Sequence, residues 1–302
     1  MSLVSVVHVA AVLALTIAGT ACGQTPPAPT KPLVVASFYP LYEFARQVAG
    51  DRAEAISLVP PGVEPHDWEP APQDVARLER AKVFVYNGAG FDPWAGRLRQ
   101  NLGASGPLVI EATAGLPLLT TDVPGRTGHD PHAWLDPMLA QAQVEAIRAG
   151  LARVDPAGAT AYAANARAYT ERLATLHAAF ERGLSRCARR DFVVSHTAFA
   201  YLAHRYRLTQ MAVMGLAPES EPSPADLAQT VRLLRRLRPK YVFVETLVSS
   251  RLAETVAAEV GAQTLLLDPL EGLTAEAMKA GANYLTVMDT NLQNLRRALE
   301  CS

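Results

Sequence analysis

The stretch AYAANARAYTERLATLHAAFERGL, residues 161–184, decides how the chain is organised. It contains no proline, its single glycine comes next to last, and it is rich in residues that favour helices. Leu173, Leu176, Phe180 and Leu184 recur at spacings of three and four, which predicts one apolar stripe. A helix of about 24 residues is about 36 Å long. The sequence therefore predicts one long helix that can connect two parts of the protein.

Short apolar runs lie on both sides of this helix and alternate with helical patterns. Runs rich in valine, isoleucine and leucine, in such alternation, predict parallel strands with helices on both faces of the sheet. Four runs precede the long helix and four follow it, at residues 33–38, 55–59, 83–86, 108–111, 192–195, 211–214, 241–245 and 264–267. The predicted fold class is α/β, with two lobes that each contain a parallel four-stranded sheet flanked by helices. One long rigid linker helix joins the lobes.

The beginning of the chain differs from the rest. Residues 4–18 are almost wholly apolar and small residues follow them, which is typical of a signal peptide. The run is short for a membrane-spanning helix. Cys22 follows directly and resembles the lipid-modified cysteine of bacterial lipoproteins, although Gly19 stands where leucine is usual. The alternative is ordinary cleavage beside an incidental cysteine, and in both cases the mature chain is exported.

These features predict a division of the 302 residues into five segments. They are a signal peptide (1–21), a proline-containing lipid-anchor tether (22–32), an N-terminal α/β lobe (33–158), the linker helix (159–186) and a C-terminal α/β lobe (187–302). Cys187 and Cys301 could form a disulfide in an oxidising compartment and would then fasten the last helix. Two unpaired thiols are the alternative, because the sequence does not give the geometry.

The charge balance argues against two classes of partner. The chain has 28 basic and 29 acidic side chains and a net charge of −1. Nucleic-acid binding requires a basic face or tail, so a nucleic-acid partner is not expected. The same balance argues against electrostatic attachment to a membrane surface.

Three histidines and one aspartate stand where a metal site can form. His66 follows the second predicted strand across a Pro-Pro-Gly turn, and His196 ends the fifth. Asp268 closes the last strand, and His132 lies in a loop between two prolines. Ligands of open parallel sheets bind beyond the carboxyl ends of the strands. Because each lobe supplies two of these residues, we expect a metal in the cleft between the lobes, and three imidazoles with one carboxylate suit tetrahedral Zn²⁺.

The same residues leave alternatives to simple metal binding. Four protein ligands favour binding over catalysis, because a catalytic zinc usually keeps one open position. A metal-dependent hydrolase would need such a position and a base, for which Glu64 or Glu69 is the candidate. A surface adhesin with a structural metal is a third class. Glu245, which ends the seventh predicted strand, is expected to support the cleft through hydrogen bonds.

Several motifs together resemble the metal-binding solute-binding proteins of zinc and manganese ABC importers. They are Pro-His-Asp-Trp-Glu-Pro (65–70), Asp-Pro-His-Ala-Trp-Leu-Asp-Pro (130–137), Ser-His-Thr-Ala-Phe-Ala-Tyr-Leu (195–202), Glu-Ser-Glu-Pro-Ser-Pro-Ala-Asp-Leu (219–227) and Leu-Asp-Pro-Leu (267–270). The resemblance covers the chain from about Leu33 onward. It implies two α/β lobes on one rigid helix, with His66, His132, His196 and Asp268 as the metal ligands.

The resemblance also implies a biological role. The expected function is extracytoplasmic capture of a divalent transition metal and its delivery to an ABC-importer permease, not enzymatic catalysis. The protein would be a monomer in the periplasm or at the cell surface, held to the membrane by a lipid on Cys22. His196 favours Zn²⁺ over the harder Mn²⁺, and a manganese or broad-specificity receptor is the alternative. Zinc-uptake members often carry a long histidine-rich loop, whereas residues 120–128 here contain no histidine.

Overall fold

The computed structural model describes residues 31–103, 106–123, 126–218 and 222–302. The predicted signal peptide, Cys22 and residues 219–221 of the fourth motif lie outside this part of the chain. Residues 31–302 form one compact unit. Among the described residues, no helix is both long enough and apolar enough to cross a membrane.

The first lobe is a four-stranded parallel sheet with the strand order β2-β1-β3-β4. Strand β3 is buried along its whole length, which explains why its sequence is continuously apolar. The elements of this lobe are β1 (Leu33–Ala36), α1 (Tyr39–Ala49), β2 (Glu54–Ser57), α2 (Pro72–Glu79), β3 (Val83–Tyr86), α3 (Pro93–Asn101) and β4 (Leu108–Glu111).

The segment between the two sheets contains a hairpin and two helices. Strands β5 (Thr120–Val123) and β6 (Arg126–His129) pair antiparallel, and neither was predicted from the sequence. Helix α4 (Pro137–Val154) begins where the Asp136 carboxylate accepts the Met138 N–H. Helix α5 (Ala159–Leu184) has 26 residues and is the long helix that the sequence predicted.

The second lobe repeats the topology of the first. Its parallel sheet has the order β10-β9-β7-β8, which is the arrangement of β2-β1-β3-β4 read in the opposite direction. The elements are β7 (Asp191–Val194), α6 (Ala200–Tyr206), β8 (Thr209–Ala212), α7 (Pro224–Leu237), β9 (Tyr241–Val244), α8 (Arg251–Val260), β10 (Gln263–Leu266), α9 (Ala275–Lys279) and α10 (Tyr284–Ala298). The structure confirms all eight predicted strands, with ends that differ by at most two residues. The predicted α/β fold class with two sheets and a joining helix is confirmed.

Helix α5 is part of a core that both lobes share. Tyr162, Tyr169, Leu173 and Phe180 are buried on one face of the helix, which packs against α1, α4 and α10. The largest apolar cluster contains these residues together with side chains from both sheets. Each fully buried side chain of this size contributes about 1.5–3 kcal/mol through removal from water. The two sheets are therefore fastened to one rigid element, and the predicted linker and lobe boundaries stay predictions.

A disulfide joins the segment after α5 to the end of the chain. Cys187 and Cys301 are bonded across a sequence separation of 114 residues. The sequence left open whether these cysteines are paired, and the structure contains the bond. It fastens the segment that follows α10 to the start of the second lobe.

We predict that replacing Cys187 and Cys301 with serine lowers the free energy of unfolding by about 2–4 kcal/mol, because the bond restricts the unfolded chain. Urea denaturation of the variant and the wild type, followed by circular dichroism, measures the difference. Reductant should bring the wild type to the stability of the double variant. A wild-type protein that is equally stable with and without reductant would contradict the prediction.

Candidate metal site

The three predicted histidines meet in the cleft between the sheets. His66 lies in the turn region after β2, His132 directly precedes a short 3₁₀ helix before α4, and His196 is the second residue after β7. One ligand atom from each, together with a carboxylate oxygen of Glu271, lies within 4.8 Å of the others. His132 and His196 are fully buried and the His66 side chain is 9% exposed. These four residues could hold a metal ion.

The Glu271 carboxylate faces all three imidazoles. Its Oε1 atom is 3.2 Å from His66 Nε2, 3.3 Å from His132 Nε2 and 3.2 Å from His196 Nε2. Zinc at its usual bond lengths to nitrogen and oxygen gives tetrahedral ligand-to-ligand distances of about 3.3–3.5 Å. The His132 Nε2 atom is buried and lies outside hydrogen-bond geometry with any described group. The oxygen and the three nitrogens are thus spaced as ligands around one small cation.

Asp268, the predicted fourth ligand, lies beside this group. Its Oδ2 accepts the Thr246 hydroxyl at 2.6 Å and its Oδ1 accepts the Leu270 N–H at 2.7 Å. Burial raises the pKa of the Asp268 carboxyl, against the effect of these two hydrogen bonds. The structure therefore brings Glu271 into the group of four, whereas Asp268 is held by Thr246, which follows β9, and by its own loop. The ligand role of Asp268 stays a prediction.

Each of the two fully buried histidines is held by a carboxylate on its far nitrogen. His196 Nδ1 lies 2.7 Å from Glu245 Oε1, which also accepts the Ser195 hydroxyl. His132 Nδ1 lies 2.8 Å from Asp130 Oδ1. A proton on each Nδ1 donates to the carboxylate and leaves the Nε2 lone pair free for a metal. The expectation that Glu245 supports the cleft through hydrogen bonds is confirmed.

The charges in the site shift the pKa values of its members. Burial alone would lower the pKa of His196, but the carboxylates of Glu271 and Glu245 outweigh burial and raise it to about 10. Burial would raise the pKa of the Glu271 carboxyl, but the three histidines hold it well below its ordinary value. Both shifts favour the charged pair of the His196 imidazolium and the Glu271 carboxylate.

Hydrogen bonds tie the His132 segment to the second lobe. Trp134 Nε1 donates to the Pro269 carbonyl at 2.8 Å, two residues before Glu271. Tyr284 donates its hydroxyl to the Trp134 carbonyl at 2.5 Å, and Tyr201 donates to the Asp130 carbonyl at 2.7 Å. These bonds fix the His132 segment relative to the loop that carries Glu271.

Comparison with known proteins shows to which family the chain belongs. Residues 34–298 match the family model described as ZnuA, the periplasmic zinc-uptake complex component A. The chain belongs to this family. The high-affinity zinc uptake system protein ZnuA of Bacillus subtilis (strain 168) is 35% identical over 277 residues, which cover 88% of this chain and 87% of that protein.

Two further relatives come from Streptococcus pneumoniae. The zinc-binding lipoprotein AdcA of strain R6 is 38% identical over 93% of this chain, which spans only 58% of that longer relative. The crystal structure of the Zn(II)-bound ZnuA-like domain of AdcA superposes with a TM-score of 0.79 at 40% identity, covering 89% of this chain and 99% of that domain. Members of the ZnuA family thus share the fold of this chain with its two sheets.

Glu271 is the member of the group that the sequence did not reveal. The resembling motif 267–270 ends one residue before it. Strand-end reasoning selected Asp268 because it is the first carboxylate after β10. A usable signal for Glu271 was its place as the second acidic residue in the same loop, directly before Gly272. A glycine there suits a close approach of the backbone to the opposite lobe. A Cβ at Gly272 would lie 3.4 Å from the Val63 carbonyl and 2.9 Å from Leu247.

Proposed function

We propose that this protein captures one divalent transition-metal ion, with zinc preferred, outside the cytoplasm and delivers it to the permease of an ABC importer. The observation that carries the proposal is the set of three imidazole nitrogens around one carboxylate oxygen at 3.2–3.3 Å. Membership of the ZnuA family supports transport as the purpose of this binding. The metal is the cargo of the protein.

We propose His66, His132, His196 and Glu271 as the four ligands, with Asp268 in a supporting role. Imidazole nitrogen suits zinc, whereas manganese prefers a larger share of oxygen donors. The carboxylates on His132 and His196 strengthen these imidazoles as ligands and fix their orientation. Through its bond to the Leu270 N–H, Asp268 holds the backbone next to Glu271. This donor set favours Zn²⁺, and a receptor for manganese or several metals is the alternative.

The surroundings of the site favour binding over hydrolysis. Four protein donors fill a tetrahedral shell and leave no position for an attacking water. Of the two candidate bases, Glu64 accepts the backbone N–H of His66. The other, Glu69, pairs with Arg97 and its side chain is 67% exposed. We therefore propose a receptor without catalytic activity.

For the exported state, we propose the arrangement that the sequence predicted. The chain is anchored by a lipid on Cys22, and the compact unit 31–302 acts as a monomer at the outer face of the membrane. The lipoprotein name of the pneumococcal relative supports this anchor. The near-zero net charge means that the anchor, and not electrostatic attraction, provides membrane attachment.

The test of the function is a competitive titration of the chain from Gly23 onward with Zn²⁺ and Mn²⁺. We expect one tight equivalent of Zn²⁺ that Mn²⁺ does not displace. His196→Ala should weaken zinc binding by more than about a hundredfold, because losing a ligand costs more than losing the partner of a ligand. His177→Ala, in α5, is the matched control and should bind as the wild type does. Absence of stoichiometric binding, or binding indifferent to His196, would refute the proposal.

The two neighbouring acids give a second prediction about the fourth ligand. Glu271→Gln should weaken zinc binding by more than about a hundredfold, because it removes the charge that faces the imidazoles. Asp268→Asn should weaken it by about tenfold, as expected for a group that supports a ligand. Both substitutions keep the size of a buried side chain, so isothermal titration of the pair compares them directly. The opposite order of effects would identify Asp268 as the ligand.

A third prediction concerns pH. Protonated imidazole cannot bind a metal, so each bound zinc displaces protons from the site. Because the pKa of His196 in the metal-free protein is raised to about 10, protons compete with zinc up to that pH. We expect zinc affinity to fall as pH decreases and to keep rising between about pH 7 and pH 9. Titrations in buffers that differ in ionisation enthalpy count the released protons, and zero release would contradict the expectation.

A further inference from the structure

We propose that the turn from Asn87 to Asp92, between β3 and α3, positions both His66 and His132 for metal binding. The inference rests on the proposed function and assigns a role to residues that lie outside the ligand set. The aromatic ring of Phe91 in this turn contacts His66. The buried side-chain amide of Asn87 contacts the segment that carries His132. We call the turn from Asn87 to Asp92 the β3 turn.

The backbone of the β3 turn is held in a rare conformation. Gly88, Ala89 and Gly90 have φ angles of 83°, 52° and 82°, which is the left-handed region. For Ala89 this conformation costs about 1–2 kcal/mol. The buried Asp92 carboxylate compensates, because it accepts the N–H of Asn87 at 2.7 Å and that of Gly88 at 2.9 Å. The shape of the turn is thus fixed from within.

Asn87 connects this turn to the His132 segment. It is fully buried, and its side-chain amide donates to the Pro131 carbonyl at 2.9 Å. The backbone carbonyl of Asn87 accepts the Thr113 hydroxyl at 2.7 Å, which anchors Asn87 to the segment directly after β4. Pro131 directly precedes His132, so the hydrogen bond from Asn87 fixes the backbone from which this imidazole projects.

Phe91 connects the same turn to His66. The Phe91 ring is 3% exposed and its centroid lies 4.7 Å from that of the His66 imidazole, in an edge-on arrangement. On its other sides Phe91 packs against Phe38 and Trp134, at centroid distances of 4.5 Å and 5.1 Å. Among the described residues, no hydrogen bond reaches the His66 Nδ1 atom, whereas His132 and His196 each have a carboxylate there. Packing against Phe91 is therefore the contact through which the β3 turn restricts the position of the His66 ring.

The experiment compares two variants of the β3 turn with a control variant in β3, the strand that precedes the turn. Phe91→Leu removes the ring that packs on His66. Asn87→Ser replaces the amide that reaches Pro131 with a shorter hydroxyl side chain. Phe84→Leu, in β3, is the control, because Phe84 is fully buried in a separate cluster on the other face of the sheet. Zinc affinity, thermal unfolding and the visible absorption spectrum of the Co²⁺-loaded protein are measured for each. Co²⁺ reports the geometry of the ligands, which a loss of stability alone does not change.

We expect Phe91→Leu and Asn87→Ser each to weaken zinc binding by about tenfold and to alter the Co²⁺ spectrum. Phe84→Leu should lower the unfolding temperature while keeping the affinity and the spectrum of the wild type. Wild-type affinity and spectrum in both turn variants would overturn the inference, and so would an equal change in Phe84→Leu. A wild-type protein that binds neither metal would instead refute the proposed function.

Discussion

The structure depends on the burial of one carboxylate among three imidazoles. An isolated carboxylate in a protein interior is strongly disfavoured, so Glu271 can be 2% exposed only with positive charge next to it. The raised pKa of His196 favours a proton on this imidazole, and that proton is one source of the charge. A divalent cation held by the four proposed ligands would supply more positive charge at the same place. The site is thus suited to exchange protons for a metal ion.

The topology of the two sheets makes this site possible. In parallel sheets all strands end at the same edge, and connections after adjacent strands diverge to leave a crevice. The two sheets place these edges opposite each other, so residues after β2, β7, β9 and β10 converge from distant parts of the sequence. The shared core around α5 then holds the two edges at a fixed separation. In a preorganised site of this kind, ordering of the ligands subtracts little from the free energy of binding.

The sequence predicted the fold more completely than the site, for a physical reason. Buried parallel strands are continuous apolar runs, and a 26-residue helix shows its periodicity directly, so strands and linker were predictable. The hairpin β5–β6 was not, because its short strands carry no apolar run. Glu271 was missed because Leu270 adopts a φ of 58°, which redirects the chain between Asp268 and Glu271. The sequence indicated no such turn at Leu270, although Glu271 followed by Gly272 was a usable signal for a second acid in the loop. The pairing of Cys187 with Cys301 likewise required the tertiary structure.

The loop that carries Glu271 is packed into the core that joins the two sheets. The core around α5 resists separation of the lobes, because opening the cleft would expose its shared apolar surface. The Glu271 loop is part of this core, because Leu267, Leu270 and Leu273 are buried in it. Hydrogen bonds add to this packing: the Leu270 N–H donates to Asp268, Trp134 donates to the Pro269 carbonyl, and the Gly62 N–H donates to the Leu273 carbonyl at 2.9 Å. Each such hydrogen bond contributes about 1 kcal/mol net. Moving Glu271 away from the imidazoles would therefore expose apolar surface of the same core that opening of the cleft exposes, so the packing resists both displacements.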